Sequence, residues 1–368
     1  MTRPLPSPAR RRARSLTPRA AALAACVALL LPVRAAAQAQ APAPAPRAAA
    51  TPAPPAPLYR DTGVLAITIR GDLRHLFRDR DSLTAPWREG RIVVAGAGGA
   101  AADTVAVRMR TRGIYRLANC DIPPIRLRFR EKDVRGTPFD SVGRPKLVSV
   151  CHNADDFEQY LLQEYAIYRA YQLFTPLSFA VRLLRVTYED TTRGARPFTR
   201  YAFVSEDPPR FAERMGGTMV NETGVGFRRI QRANIMLVSL FQYFIGNTDW
   251  AVPHLHNIAL LRTDSLYAIP FDFDWSGAVE APYAVPNTHI LHIQRVRDRQ
   301  YRGICAMTEE VYARFEALKD SIAAVYRAVP GIDAHGAERT LRYYDDFYRS
   351  IADRQRFEDH AIAPDCGW

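Results

Sequence analysis

Lysine is almost missing from this chain. Of 50 basic residues only Lys132, Lys146 and Lys319 are lysines, and arginine supplies the rest. So general a bias reads as codon preference, which strips the net charge of +12 of most of its meaning. No basic run interleaved with aromatics points to nucleic acid as a partner. The same scarcity makes each lysine that is present informative. Cysteine is sparse as well: Cys26, Cys120, Cys151, Cys305 and Cys366, none in a Cys-x-x-Cys pair. That absence argues against a zinc site of the usual spacing. No internal repeat is found, and beyond the first 33 residues no apolar run is long enough for a membrane span.

The first 37 residues have the form of a secretory signal peptide. Arg3, Arg10, Arg11, Arg12, Arg14 and Arg19 precede the apolar stretch from Ala20 to Val33, and Ala35, Ala36 and Ala37 follow. Leu23–Ala24–Ala25–Cys26 resembles a lipoprotein box and makes Cys26 a candidate lipid anchor; the apolar run that continues past it speaks against one. Residues 38–57 are Ala/Pro-rich with nothing to bury, and read as an extended linker. Residues 58–368 are long enough for a large core. The expectation is an exported protein, periplasmic or extracellular, in a compartment where disulfides persist. Four cysteines outside the signal allow three pairings, of which Cys120–Cys151 is the one expected.

Leu65, Ile67 and Ile69 alternate with Ala66, Thr68 and Arg70, the pattern of a half-buried strand. Further strands are expected over 92–95, 104–109, 125–129, 147–150, 180–188 and 198–205. The glycine cluster GAGGAA between the second and third reads as a hairpin loop, since no helix follows it. A helix is expected from Phe157 to about Phe174, a second over the apolar stretch 233–245, and two amphipathic helices in the tail. Those two carry the stripes Val311, Phe315, Leu318, Ile322 and Leu341, Tyr344, Phe347, Ile351. The glycine-rich stretch 211–227 reads as a loop. Strands first and helices later make an α+β pattern.

The chemistry gathers in residues 244–277, where apolar runs end in oxygen-bearing side chains. Asp249 sits in a polar turn, Asn257 heads the next apolar run, and Asp272 and Asp274 follow a short strand. Transfer of a phosphoryl group from a nucleotide needs a lysine on the phosphates, a helix glutamate to orient it, an aspartate on the attacking hydroxyl, and an Asn and an Asp on the metal. Lys146, Glu164, Asp249, Asn257 and Asp272 occur in that order. Fifteen residues between Asn257 and Asp272 suffice for a hairpin that returns the second ligand to the first.

The run GNTDW…HN…YAIPFDFDWSG resembles the catalytic core of the spore coat protein H (CotH)-type kinases, which are secreted atypical kinases. It is similar, more loosely, to aminoglycoside phosphotransferases. Arg112–Gly113 resembles the Arg-Gly near the start of the CotH-type domain. The resemblance implies a two-lobed kinase-like fold, with a mainly β lobe over 58–205 and a mainly helical lobe over 206–368. It implies a phosphotransferase using ATP and Mg²⁺ or Mn²⁺ on a protein or glycan hydroxyl. Asp249 would serve the hydroxyl, Lys146 and Glu164 the nucleotide, and Asn257, Asp272 and Asp274 the metal. Two departures from the family pattern are the missing glycine-rich phosphate loop before Lys146 and the uncounterparted segment 193–234.

Plainer readings stand beside these. Asp249 can cap a helix, Asn257 can close a turn, and Asp272 and Asp274 can be the wet side of an edge strand. Lys146 can be a solvated surface residue, and Glu164 can pair with an arginine of the core. His254 and His256 flank Leu255 in a metal-compatible spacing. Two other functions rest on the same residues: a non-catalytic envelope binding or scaffold protein, and a metal-dependent hydrolase that has no use for Lys146.

Overall fold

The structure, a computed structural model, describes residues 52–81, 83–95, 103–192, 196–286 and 293–367. The signal-peptide expectation, Cys26, most of the linker and the glycine cluster lie outside the described residues.

Seven strands build the first half: β1 (Leu65–Gly71), β2 (Arg88–Val94), β3 (Asp103–Thr111), β4 (Ile125–Arg128), β5 (Lys146–Ser149), β6 (Val181–Asp190) and β7 (Phe198–Ser205). Their order is β1-β2-β3-β4-β5-β7-β6, and the sheet closes into a barrel. All neighbours are antiparallel except the closing pair, in which β6 lies parallel to β1 from Leu65↔Leu184 to Gly71↔Asp190. Closure removes the sheet's edges. Alternation then sends Ile67, Ile69, Ile92, Val105, Val107, Met109, Ile125 and Leu127 inward, all buried. Gly90 serves this interior directly: a Cβ there would lie 2.4 Å from Met109 Cε and 2.8 Å from the Arg70 carbonyl oxygen.

Short helices punctuate the barrel: α1 (Leu73–Arg78), α2 (Tyr115–Asn119) and α3 (Glu131–Val134). Between β5 and β6 runs α4 (Asp155–Phe174), which packs on β6 and β7 with one side. Another side meets α7 (Glu309–Ala328), so the helix is buried nearly all round, Leu162, Ala166, Ile167 and Phe174 included. The rest comprises α5 (Pro208–Arg214), α6 (Arg232–Phe244), α8 (Ala334–Ile351), α9 (Arg354–Phe357) and a second sheet. That sheet is β8 (Thr218–Val220), β9 (Ile258–Arg262) and β10 (Leu266–Pro270), in the order β10-β9-β8. Phe244, stacked 4.0 Å from the Tyr344 ring, ties α6 to α8.

Two expectations need correction. The α+β two-lobed kinase-like fold, mainly β over 58–205 and mainly helical over 206–368, is not what forms. The chain instead closes a seven-stranded barrel and adds helices, because β6 returns across α4 to hydrogen-bond β1. The later half also carries a sheet of its own, so it is not simply helical. The stretch 211–227 is likewise no plain loop: Phe211 belongs to α5, and β8 pairs with β9 through Thr218↔Arg262 to Val220↔Leu260.

Cys120–Cys151 and Cys305–Cys366 are disulfide-bonded, the first as expected. It joins the end of α2 to the chain just after β5. Among the described residues no helix is long and apolar enough to cross a membrane, as expected for the mature chain.

Candidate functional site

Helix α6 stops where Gly246 takes φ +64°, the left-handed region open to glycine. A Cβ there would fall 1.9 Å from Tyr343 Oη, so no other residue fits this turn. The chain then enters a pinned loop. Buried Asn247 donates through Nδ2 to Gln242 Oε1 (3.0 Å) and accepts from the Asp249 amide at 2.9 Å. Ala251 and His256 exchange two backbone hydrogen bonds, 2.9 and 3.0 Å, which doubles the chain back. Asn257 thereby returns to Asp249: its Nδ2 donates to the Asp249 carbonyl at 2.8 Å and to Oδ2 at 2.9 Å. His256 Nε2 lies 2.7 Å from the other carboxylate oxygen, Oδ1. That bond, ahead of the opposing effect of burial, holds the imidazole above the usual histidine range.

Strands β9 and β10 form the anticipated hairpin, in a register that sets Pro270 against Ile258. The Phe271 amide then donates to the Asn257 carbonyl at 3.0 Å. Asp272 follows at φ 63°, and Leu255 and Asn257 stand at φ 51°. Three non-glycine residues in the left-handed region within one loop pair are stored strain of the kind found at ligand sites. The Asp272 amide donates to Tyr168 Oη on α4 at 2.8 Å. Phe273 is buried between the rings of Tyr168 and Phe241. The alternation that buries Phe273 leaves Asp272 partly exposed, and no described residue hydrogen-bonds or ion-pairs with its carboxylate.

Asp274 points into the protein. Its Oδ2 accepts from Tyr283 Oη at 3.0 Å and stands 3.9 Å from Arg116 Nη1. The same Nη1 is 4.0 Å from Glu164 Oε2. Burial, then the charge of Asp272, pushes the Asp274 carboxyl up to about 7. Burial, then Asp274 and Asp272, pushes Glu164 well above the carboxylate range. Glu164 Oε1 is buried without a hydrogen-bond partner. Burial works against the Arg116 charge, but the surrounding groups, Asp274 and Glu164 among them, outweigh it and hold the guanidinium firmly protonated.

Lys146 approaches from β5, with Nζ 4.4 Å from the centre of the Phe271 ring. Burial of the ammonium, then the like charge of Arg112, brings it down to about 7; Asp272 acts in the opposite sense. All six residues singled out from the sequence therefore belong to one neighbourhood. Asp272 acts on Lys146, Glu164, Asp274 and His256, and Asp249 acts on Asp274.

One expected contact is replaced. The cation facing Glu164 is Arg116, while the charges felt by Lys146 come from Arg112, Asp272, Arg126 and Asp207. Glu164 thus stands under the Asp272–Asp274 turn instead of orienting Lys146. Sequence reading missed Arg116 and Tyr283 altogether and took Tyr168 only as part of the apolar face of α4. It noticed His256 only as half of a metal-like spacing, although the residue's partner is Asp249.

Among the described residues no three His, Cys, Asp or Glu side chains are grouped as a metal cage. The oxygen donors still suit a hard divalent ion that arrives with phosphate. Mg²⁺ keeps several waters and asks the protein for only one or two carboxylates. The unpartnered Asp272 carboxylate and the mutual repulsion around Asp274 and Glu164 fit such an ion. A cavity of about 730 Å³ beside Phe227, Arg232, Ile304 and Gly367 includes none of these residues in its walls. Compared with known families and with curated proteins, the chain matches no family model and no curated sequence.

Proposed function

We propose that this chain is an exported phosphotransferase that moves the γ-phosphoryl group of ATP to a protein or glycan hydroxyl with Mg²⁺ or Mn²⁺. The observation that carries the reading is the gathering of Asp249, Asn257 and Asp272 with Lys146 around one partly open centre. Asp249 is held between His256 and Asn257, which aims its carboxylate. It orients the acceptor hydroxyl and takes its proton. Asn257 spends its amide N–H groups on Asp249, leaving Oδ1 as a neutral oxygen donor. Asp272 offers the free carboxylate, and these two would hold the ion. Asp274 is engaged inside the protein by Tyr283 and Arg116. The ion, when bound, neutralises charge on the transferring group. Lys146, near neutrality when the site is empty, becomes fully protonated against phosphate oxygens. The two disulfides support an oxidising compartment.

The His256–Asp249 pair also favours a second reading, metal-dependent hydrolysis, in which it would activate water. Incubation with γ-labelled ATP and Mn²⁺ separates the two. The transferase reading predicts label on the chain or on an added hydroxyl acceptor, with a large loss in Lys146→Ala. Free phosphate without acceptor labelling, unaffected by Lys146→Ala, would overturn it in favour of hydrolysis.

A further inference from the structure

The outer face of the barrel beside this centre carries a row of cations in register. Lys146 lies directly opposite Arg126 across β5 and β4, and Arg126 directly opposite Arg110 across β4 and β3. Arg112 follows Arg110 on the same face, and Arg144 precedes Lys146. Like charges placed directly opposite across strands are destabilising. Many other arginines of the described chain are held in ion pairs, as Arg88 is with Asp79 and Arg214 with Glu206. Among the described residues the side chains of Arg110, Arg112, Arg126, Arg144 and Lys146 have no ion-pair and no hydrogen-bond partner. Arg126 Nε and Arg110 Nε are buried with no partner at all. Burial and the like charges of Arg112, Arg110 and Arg144 act against the Arg126 charge, and Asp207 acts for it. At the far end Arg110 stacks on Trp87, 5.1 Å from the ring centre, and Arg128 approaches the same ring at 6.0 Å.

Three cations spaced one strand apart span about 10 Å. A linear ligand with several closely spaced negative charges matches that row; a lone carboxylate or sulfate does not. The row also starts at Lys146, where a glycine-rich phosphate loop is lacking.

We propose that the Lys146–Arg126–Arg110 row, with Arg112 and Arg144 beside it, binds a chain of consecutive phosphates. The donor's own triphosphate and inorganic tripolyphosphate share this chemistry. Only the choice of the donor as source rests on the phosphotransferase reading.

The test is titration of the full chain with tripolyphosphate, ATP and sulfate, followed by Trp87 fluorescence and by calorimetry, in wild type, Arg126→Gln and Arg110→Gln. Tripolyphosphate should bind, sulfate at equal ionic strength should not compete, and each variant should weaken binding at least tenfold. Without ligand, Arg126→Gln should melt at a higher temperature than wild type, because a repulsion is removed. A raised KM for ATP at unchanged kcat in Arg126→Gln assigns the row to the donor. Weakened tripolyphosphate binding with an unchanged KM assigns it to a separate phosphate chain. Either result supports the site, and binding that survives in a chain without transfer activity refutes only the phosphotransferase reading. No binding of tripolyphosphate, equal binding of sulfate, or indifference to both substitutions overturns the proposal.

Discussion

The two ends of the acidic centre use the same residue types in opposite ways. At the open end Asp249 is about one-third exposed and engaged by donors, and Asp272 is partly exposed with a carboxylate that no described residue engages. At the dry end Asp274 and Glu164 are buried, share one guanidinium, and are pushed toward protonation. The difference separates what holds the site together from what is left for a ligand. Buried charge has to be paired internally, whereas a carboxylate left unpaired near solvent is available to something that comes and goes.

Arg116 gives the largest expected effect, because it is the cation of the dry end. Its Nη2 also donates to the Ser149 carbonyl and so ties α2 to β5. Arg116→Ala leaves two acids buried without it and should cost about 3–5 kcal/mol of folding stability. Chemical denaturation measures this, and a loss below about 1 kcal/mol would erase the distinction between the ends.

Asp272→Asn should do the reverse. Phosphoryl transfer should fall about 10²–10³-fold, while the melting temperature holds or rises, since Asp272 adds to the repulsion on both Asp274 and Glu164. A variant that lost stability in step with activity would make Asp272 another structural acid.

The pH profile offers a smaller and sharper test. In the folded chain Asp274 titrates at about 7, above its ordinary 3.8. Between those values the native state holds a proton that the unfolded chain has released, so this group makes stability fall as pH rises from about 4 to about 7. Lys146 runs oppositely. Its folded value, about 7, lies below the ordinary 10.5, so it makes stability rise as pH climbs between them. Asp274→Asn should flatten the first slope, to which raised Glu164 also contributes, by up to roughly 4 kcal/mol, and leave the second. Melting curves across pH 4–10 would show both, and an unchanged acid-side slope in the variant would place the proton elsewhere.

Much of the open end was legible before any coordinates. Local signals define it: the apolar run of α6, the turn at Thr263–Ser265 that makes a β9–β10 hairpin, and the Asp-Phe-Asp alternation that buries Phe273 between its acids. The Cys120–Cys151 pairing was one of three possible ones, with no local signal to single it out. The dry end was not legible. Nothing in the residues around Arg116 says that it will face Glu164 and Asp274, because those contacts depend on how distant elements pack. Barrel closure was hidden in the same way. Alternation reveals that 181–190 is a strand but not that its partner is β1, more than a hundred residues earlier and parallel. β8 escaped because three residues among glycines carry too little periodicity to read.

Uptake of Mn²⁺ in the presence of ATP, followed by electron paramagnetic resonance, tests the division between the two ends most directly. The account predicts tight Mn²⁺ in wild type, at least tenfold weaker binding in Asp272→Asn, and little change in Asp274→Asn. Mn²⁺ retained in Asp272→Asn, or lost mainly in Asp274→Asn, would contradict it.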